Sequence, residues 1–443
     1  MSARRAPLHP VAPDPAPAPA SPWSAWVDQS CRVVEAAGQW RRPRTFDAKG
    51  PSGQLDDGSA DSADHGGSSV ISFASNDYLG LSSHPDVVAA AHRALDRWGS
   101  GSGASRLITG SRPVHEELED ALASWKGCEQ AVLLPTGFAA NLSVLSVFGA
   151  EGAHVFSDEF NHASIIDGCR MARAAVTVYR HGDLGQLDSA LRACPGRPVI
   201  VSDTVFSMDG DEVDLEGLVD VAARHQALLV LDEAHAVLGP ELPGPARRRS
   251  VDILRVGTLS KTLGALGGFV AGPSRFVDLL VNRARPYIFT TAPTPADAAA
   301  ALAAVRIVRS DEGDVLRSRL AAHVARVAVA VGRSGHRSPI VPVIVGEEID
   351  AVSASTDLLS LGLWVPAIRP PTVPPGSSRL RITLSSIHTD EQVARLVRAL
   401  AALEPGSGGE PLGGGGSAPP TMADAPAGPA LTGVPRDRGG VAS

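Results

Sequence analysis

The chain has 443 residues, of which 44% are hydrophobic and 20% charged, and its formal net charge is −8. That length exceeds what one hydrophobic core usually serves, so two structured parts are expected, while the acidic balance excludes the basic surface that nucleic-acid phosphates require. Aromatic residues make up only 4%, leaving aliphatic side chains to fill the core, and the four cysteines are too scattered for a zinc site or a secreted disulfide framework.

At the N-terminus, Arg4 and Arg5 are followed by Ala-Pro alternation, not the apolar stretch of a signal peptide. No uninterrupted apolar run is long enough to span a bilayer. With reduced thiols, these features lead to the expectation of a cytoplasmic protein without membrane or nucleic-acid partners. The Ala/Pro-rich residues 1–22 and the Gly/Pro-rich residues 405–443 are expected to be disordered, because they offer almost no large apolar side chains to bury. Residues 23–75 form an N-terminal segment, in which the Gly-, Ser- and Asp-rich stretch 47–69 is expected to be a flexible loop.

Beyond it, short apolar runs at 131–134, 199–201 and 228–231 alternate with helical patterns, which predicts an α/β fold with a mainly parallel sheet. The first run opens LLPTGFAANLSVL, a strand leading through a Thr-Gly turn into a helix. The first-turn amides of that helix, at Gly137 and Phe138, suit an anion, although a plain strand-to-helix turn reads the same way. His162 in FNHASIID and Ser207 in FSMDGD follow apolar runs in loop-like contexts, where either a structural or a binding role fits.

In LLVLDEAH an apolar strand ends at Asp232, and His235 follows at the strand's carboxyl end, where α/β sheets build their sites. Asp232 there can keep a bound pyridine nitrogen protonated. A helicase reading of DEAH needs an upstream GxxxxGK[ST] phosphate loop, which the chain lacks. VGTLSKTLGALGG sets Lys261 just past a strand ending near Val256 among small and hydroxylated residues, so the amine can approach a flat cofactor, or can be an exposed loop lysine. Arg369 in IRPPTVP and Arg379 and Arg381 in RLRITLS are either carboxylate clamps or surface charge. Thr389 and Gln392 form a capping box ahead of Val393, Leu396, Leu400 and Leu403 at helical spacing, which predicts a terminal amphipathic helix.

The order of these segments over residues 70–390 carries more than any one of them. With FASNDYLGL, GSGASRLITG, TGFAAN, NHASIIDG, FSMDGD, LDEAHAVLG, TLSKTLGALGG and IRPPTVPPGSSRLRITLS, the chain resembles the α-oxoamine synthase family of fold-type-I pyridoxal-phosphate enzymes. The resemblance implies a large cofactor-binding domain at 76–295, a smaller C-terminal α+β domain at 296–404, and a homodimer with its active site at the interface. It implies pyridoxal 5'-phosphate held covalently by Lys261, which is displaced by the incoming amino acid and then removes the α-proton. By the same resemblance Asp232 meets the pyridine nitrogen, His235 and Ser207 the ring hydroxyl, and His162 the ring face. The phosphate falls to Gly137, Phe138 and Thr258, with Thr290 or Thr291 from a second subunit.

Asn76 and Arg381 match positions that hold the amino-acid carboxylate, while Arg41 (or its neighbour Arg42), Arg369 and Thr372 match positions nearer the acyl donor. IRPPTVP resembles the branch that joins L-alanine to pimeloyl-CoA or pimeloyl-acyl carrier protein more than the branch that joins glycine to acetyl-CoA; a non-catalytic scaffold subunit is the alternative from another class. Three features depart from the family: residues 236–255 lack a glycine-rich run, Asp203 stands where many relatives have glutamate, and 47–69 looks inserted.

Overall fold

The computed structural model describes residues 21–56, 67–244 and 250–403. The tails expected to be disordered lie, from 1 to 20 and from 404 onward, outside the described residues, as do 57–66 of the expected loop and residues 245–249. The chain falls into two compact units, residues 1–46 with 55–68, and residues 47–54 with 69–443.

The first unit contains the helix Pro22–Ala36, opened by Ser21, whose hydroxyl accepts the Ser24 amide at 3.1 Å, and by proline in its first turn. Within it Trp23 and Trp26 meet edge to face at 5.9 Å. The stretch 47–69 is not loop throughout. Strands Thr45–Ala48, Ser52–Asp56 and Ser68–Ser72 reach into it; in the second, the buried apolar Leu55 stands between polar Gln54 and Asp56.

The second unit is built on a seven-stranded sheet. Its order is Gln130–Leu134, Gly268–Gly272, Ile253–Thr258, Leu228–Asp232, Arg197–Asp203, Ala153–Asp158 and Ala175–Tyr179. Gly268–Gly272 runs antiparallel to both neighbours, and the remaining pairs are parallel. The mainly parallel sheet that the alternating pattern predicts is thus present. Its strands are apolar on both faces: Val199, Val201 and Val230 enter one core with helices Gly137–Phe148 and Ala163–Ala172, whereas Ile200, Leu229 and Leu231 enter another with Leu184–Arg192 and Leu215–His225. Helices therefore cover both faces, and the carboxyl ends of the parallel strands stay open for a site.

A three-stranded antiparallel sheet, Ile340–Gly346, Ser378–Thr383 and Ala367–Ile368, lies later in the chain. In Ser378–Thr383, Leu380 and Ile382 join the core while Arg379 and Arg381 point the other way, as a period of two requires. The terminal helix is Asp390–Ala402, with the Thr389–Gln392 capping box formed.

Candidate functional site

Parallel register brings two carboxylates side by side at the open end of the sheet, since Asp203 and Asp232 close neighbouring strands as paired residues. Asp232 is buried, and both its oxygens are engaged: Oδ2 accepts the Asn141 amide nitrogen at 2.6 Å and Oδ1 accepts the Ala234 N–H at 2.9 Å. Its carbonyl accepts both the amide and the hydroxyl of Thr204 at 2.9 and 3.0 Å, fixing the strand end. Asp203 accepts the His162 backbone N–H at 2.9 Å. Burial, then the neighbouring Asp232 charge, pushes the Asp203 carboxyl well above the ordinary carboxylate range.

Lys261 follows the strand Ile253–Thr258 by three residues, and its Nζ lies 2.8 Å from His235 Nε2. The opposite ring nitrogen, Nδ1, is 2.5 Å from the Tyr78 hydroxyl, which in turn donates to Asn76 Oδ1 at 3.2 Å. Burial, with the charges of Lys261 and Arg381 adding to it, pushes the His235 pKa well down, so the ring is neutral. One arrangement of protons then satisfies the chain: Lys261 donates to Nε2, Nδ1–H donates to Tyr78, and Tyr78 donates to Asn76. Burial also lowers the Lys261 pKa, an effect opposed by Asp232 and Asp203. The amine is thereby more available in its neutral, nucleophilic form than a surface lysine.

Arg381 completes the network from the three-stranded sheet. Its Nε donates to the Ser207 carbonyl at 2.6 Å, Nη1 to Thr383 Oγ1 at 2.9 Å and Nη2 to Asn76 Oδ1 at 3.2 Å. Neither RLRITLS arginine is surface charge: both are buried, and Arg379 is taken up by Asp209 and the Ser377 carbonyl. Of the two, only Arg381 has no carboxylate partner among the described residues.

At the start of Gly137–Phe148 the Thr136 hydroxyl accepts the Ala139 amide at 3.0 Å, leaving the amides of Gly137 and Phe138 ahead of the first intrahelical donors. A Cβ on Gly137 would sit 3.1 Å from the Thr258 Cβ, so glycine lets the helix start close on that strand end. Thr258 Oγ1 donates to the Gly267 carbonyl at 3.1 Å and lies 2.8 Å from the Ser260 hydroxyl. The exposed imidazole of His162 meets Phe138 edge to face at 6.4 Å, and its Nδ1 is 2.7 Å from the Ser164 hydroxyl, itself bonded to Asn141 at 2.9 Å.

The donor set fits a flat, anionic, aldehyde-bearing heterocycle. A buried carboxylate suits a pyridinium, first-turn helix amides suit a phosphate, an amine of lowered pKa suits the aldehyde, and Asn141 Oδ1 is a buried acceptor without a partner among the described residues.

Thr290, Thr291, Arg369 and Thr372 stand apart from this network. Thr290 and Thr291 are exposed, Thr291 pairing with Ser105 as an isolated bridge. Thr372 is exposed and its amide donates to the carbonyl of the half-buried Arg369 at 3.1 Å. Arg41 and Arg42 are exposed residues of the first unit. Sequence reasoning passed over Tyr78, Asn141 and Ser164 although each lies inside a quoted motif. It also passed over Glu233, whose carboxylate, held below its usual range, joins Lys126 and Arg255 at 2.8 and 2.5 Å.

A family described as aminotransferase class I and II matches residues 68–400. The chain is 44% identical over 392 residues to 8-amino-7-oxononanoate synthase of Burkholderia mallei (strain SAVP1), covering 85% of this chain and 97% of that protein. Among solved structures, it is similar to a variant serine palmitoyltransferase from S. paucimobilis with a bound PLP–myriocin aldimine, at a TM-score of 0.76 and 29% identity over 85% of this chain and 96% of that one. It is also similar to 8-amino-7-oxononanoate synthase from Francisella tularensis, at a TM-score of 0.63 and 26% identity over 75% of this chain and 97% of that one.

Proposed function

Because the chain belongs to the aminotransferase class I and II family, we propose that it is a pyridoxal-phosphate enzyme that condenses L-alanine with a pimeloyl thioester to give 8-amino-7-oxononanoate, a step of biotin biosynthesis. The observation that carries the reading is the Lys261 amine, 2.8 Å from a neutral His235 and at the same open sheet end as the buried Asp232.

When bound, the cofactor supplies an electron sink for the negative charge left at Cα. Asp232, oriented by Asn141 and Ala234, would keep the ring nitrogen protonated, and His162 would serve the ring face. His235 and Ser207 serve the ring hydroxyl. The amides of Gly137 and Phe138 with Thr258 bind the phosphate, joined by Thr290 or Thr291 of a second copy. Lys261 would carry the cofactor through its amine, and the same amine is placed to take the α-proton of the amino acid. Arg381 and Asn76 would hold the amino-acid carboxylate and so fix the orientation of Cα. Arg41 or Arg42, Arg369 and Thr372 serve the acyl donor. In the balance, Cα gives up its proton and bonds to the thioester carbonyl carbon as the C–S bond breaks and the carrier leaves as its thiol with a proton; the carboxylate carbon then departs as carbon dioxide and a proton returns to Cα.

The domain reading that goes with this is a large domain at 76–295 and a small one at 296–404, supported by the late three-stranded sheet. A homodimer is supported by the exposed apolar side chains Leu107, Ile108 and Phe289 around Thr290, Thr291 and Ser105, with Ile108 75% exposed.

The test supplies pimeloyl-CoA or pimeloyl-acyl carrier protein with L-alanine, glycine or L-serine and identifies the product by mass. L-Alanine with a pimeloyl donor should turn over best; glycine with acetyl-CoA turning over best would sink the assignment. A second reading, L-serine with a long acyl-CoA, draws on the higher TM-score to serine palmitoyltransferase, but identity of 44% against 29% favours the first.

A further inference from the structure

His181 lies outside the residues assigned above, two positions past the strand Ala175–Tyr179, yet both nitrogens of its imidazole are bonded to carboxylates. Its Nδ1 donates to Asp158 Oδ1 at 3.0 Å and its Nε2 to Asp211 Oδ2 at 2.5 Å. Both ring nitrogens face carboxylate oxygens, so both carry protons and the ring is an imidazolium. The ring stacks on Phe160 at 4.7 Å and takes the edge of Phe206 at 4.4 Å. Its backbone is held as well, since the His181 amide donates to Glu159 at 2.8 Å and the Gly182 amide to Asp158 at 3.0 Å.

What this cation grips is informative. Asp158 ends one strand of the sheet and Asp211 lies in a tight turn after another, where Val205 bridges Glu212 and the Phe206 amide donates to the Asp211 carbonyl at 3.0 Å. The same turn contains Ser207, whose carbonyl takes Arg381 Nε, and Asp209, which pairs with Arg379. The turn is thus held from two sides, by two arginines of the small sheet and by one imidazolium of the large sheet. The charged groups facing His181 are Asp158, Glu159 and Asp211, with Asp209 near enough to be affected by its charge.

We propose that His181 is a positioning residue for amino-acid recognition: bonded to both Asp158 and Asp211, it locks the 205–213 turn, which fixes the Ser207 carbonyl and hence the direction in which Arg381 presents its guanidinium. The two carboxylates push the His181 pKa up to about 10, against the opposing effect of burial, so the lock holds through neutral pH. This inference rests on the proposed reading of Arg381 as the carboxylate clamp.

The test compares the cofactor-loaded parent with His181→Gln, Asp211→Asn and the double variant by spectral titration with L-alanine, by pyridoxal-phosphate affinity, and by amide exchange of residues 205–213 in the cofactor-free protein. Each single variant should weaken L-alanine about tenfold, leave cofactor affinity within about twofold and speed exchange in the turn, and the double should be no worse than the singles. If His181→Gln does not fold, Asp211→Asn carries the test alone, since it keeps the His181–Asp158 pair. Variants that bind L-alanine like the parent, or that lose cofactor and L-alanine affinity together, overturn the lock. A parent that responds to no amino acid overturns the proposed function instead.

Discussion

Asp232 is held by one backbone N–H and one side-chain amide, a shell that leaves a buried carboxylate without a cationic partner in hydrogen-bond contact among the described residues. A cationic ring nitrogen supplies that charge. Asp232→Asn removes it while keeping the shape, and should lower turnover about a hundredfold or more, as loss of a buried charge-assisted bond implies, with the fold intact by circular dichroism. Unchanged turnover would show that Asp232 does not face the ring.

Lys261, Asp232 and His235 were legible in the sequence because strand-end position and motif order both point to them. Tyr78 and Asn141 were not. Their partners His235 and Asp232 lie 157 and 91 residues away along the chain, and only closure of the fold brings them into bonding range. Arg379 and Arg381 looked equivalent for a related reason, since the same strand face presents both and only the position of Asp209 distinguishes them.

At the scale of elements, the apolar runs announced the central strands because these are buried on both faces and need no polar alternation. The runs could not announce which strand neighbours which, nor that Gly268–Gly272 is reversed. Ser52–Asp56 escaped notice because Gly, Ser and Asp dominate its surroundings, and a single buried Leu55 is a weak signal.

Leu229 is fully buried in a central strand against the layer of Leu184–Arg192 and Leu215–His225. Leu229→Ala should cost about 2–5 kcal/mol of stability by denaturant unfolding. A loss below about 1 kcal/mol would mean that this layer can collapse onto the gap. At the helix start, Gly137→Val pushes branched carbon toward Thr258 and should weaken cofactor binding by at least about tenfold with little loss of stability, because the first-turn amides would be displaced from the phosphate position.

For the whole molecule, His181 links pH to stability. The unfolded imidazole titrates near 6.5 and the folded one near 10, so its contribution is full below about 6.5, declines between those values and is gone above about 10. With the side chain 26% exposed, solvent screening reduces this to about 2–3 kcal/mol. Urea unfolding at pH 6 and pH 10 should differ by that much more in the parent than in His181→Gln; equal differences would show that the charge is not retained by folding. Association belongs to this scale too. Ile108 and Phe289, 75% and 69% exposed, should anchor a dimer contact, so Ile108→Asp should shift the sedimenting species toward monomer.

The central claim is that one amine, that of Lys261, carries the cofactor. Borohydride reduction of the reconstituted protein followed by peptide mapping tests it most directly. The account predicts a single pyridoxyl-phosphate adduct on the peptide containing Lys261, absent from Lys261→Ala; an adduct on another lysine, or none at all in a protein that has taken up the cofactor, would contradict it.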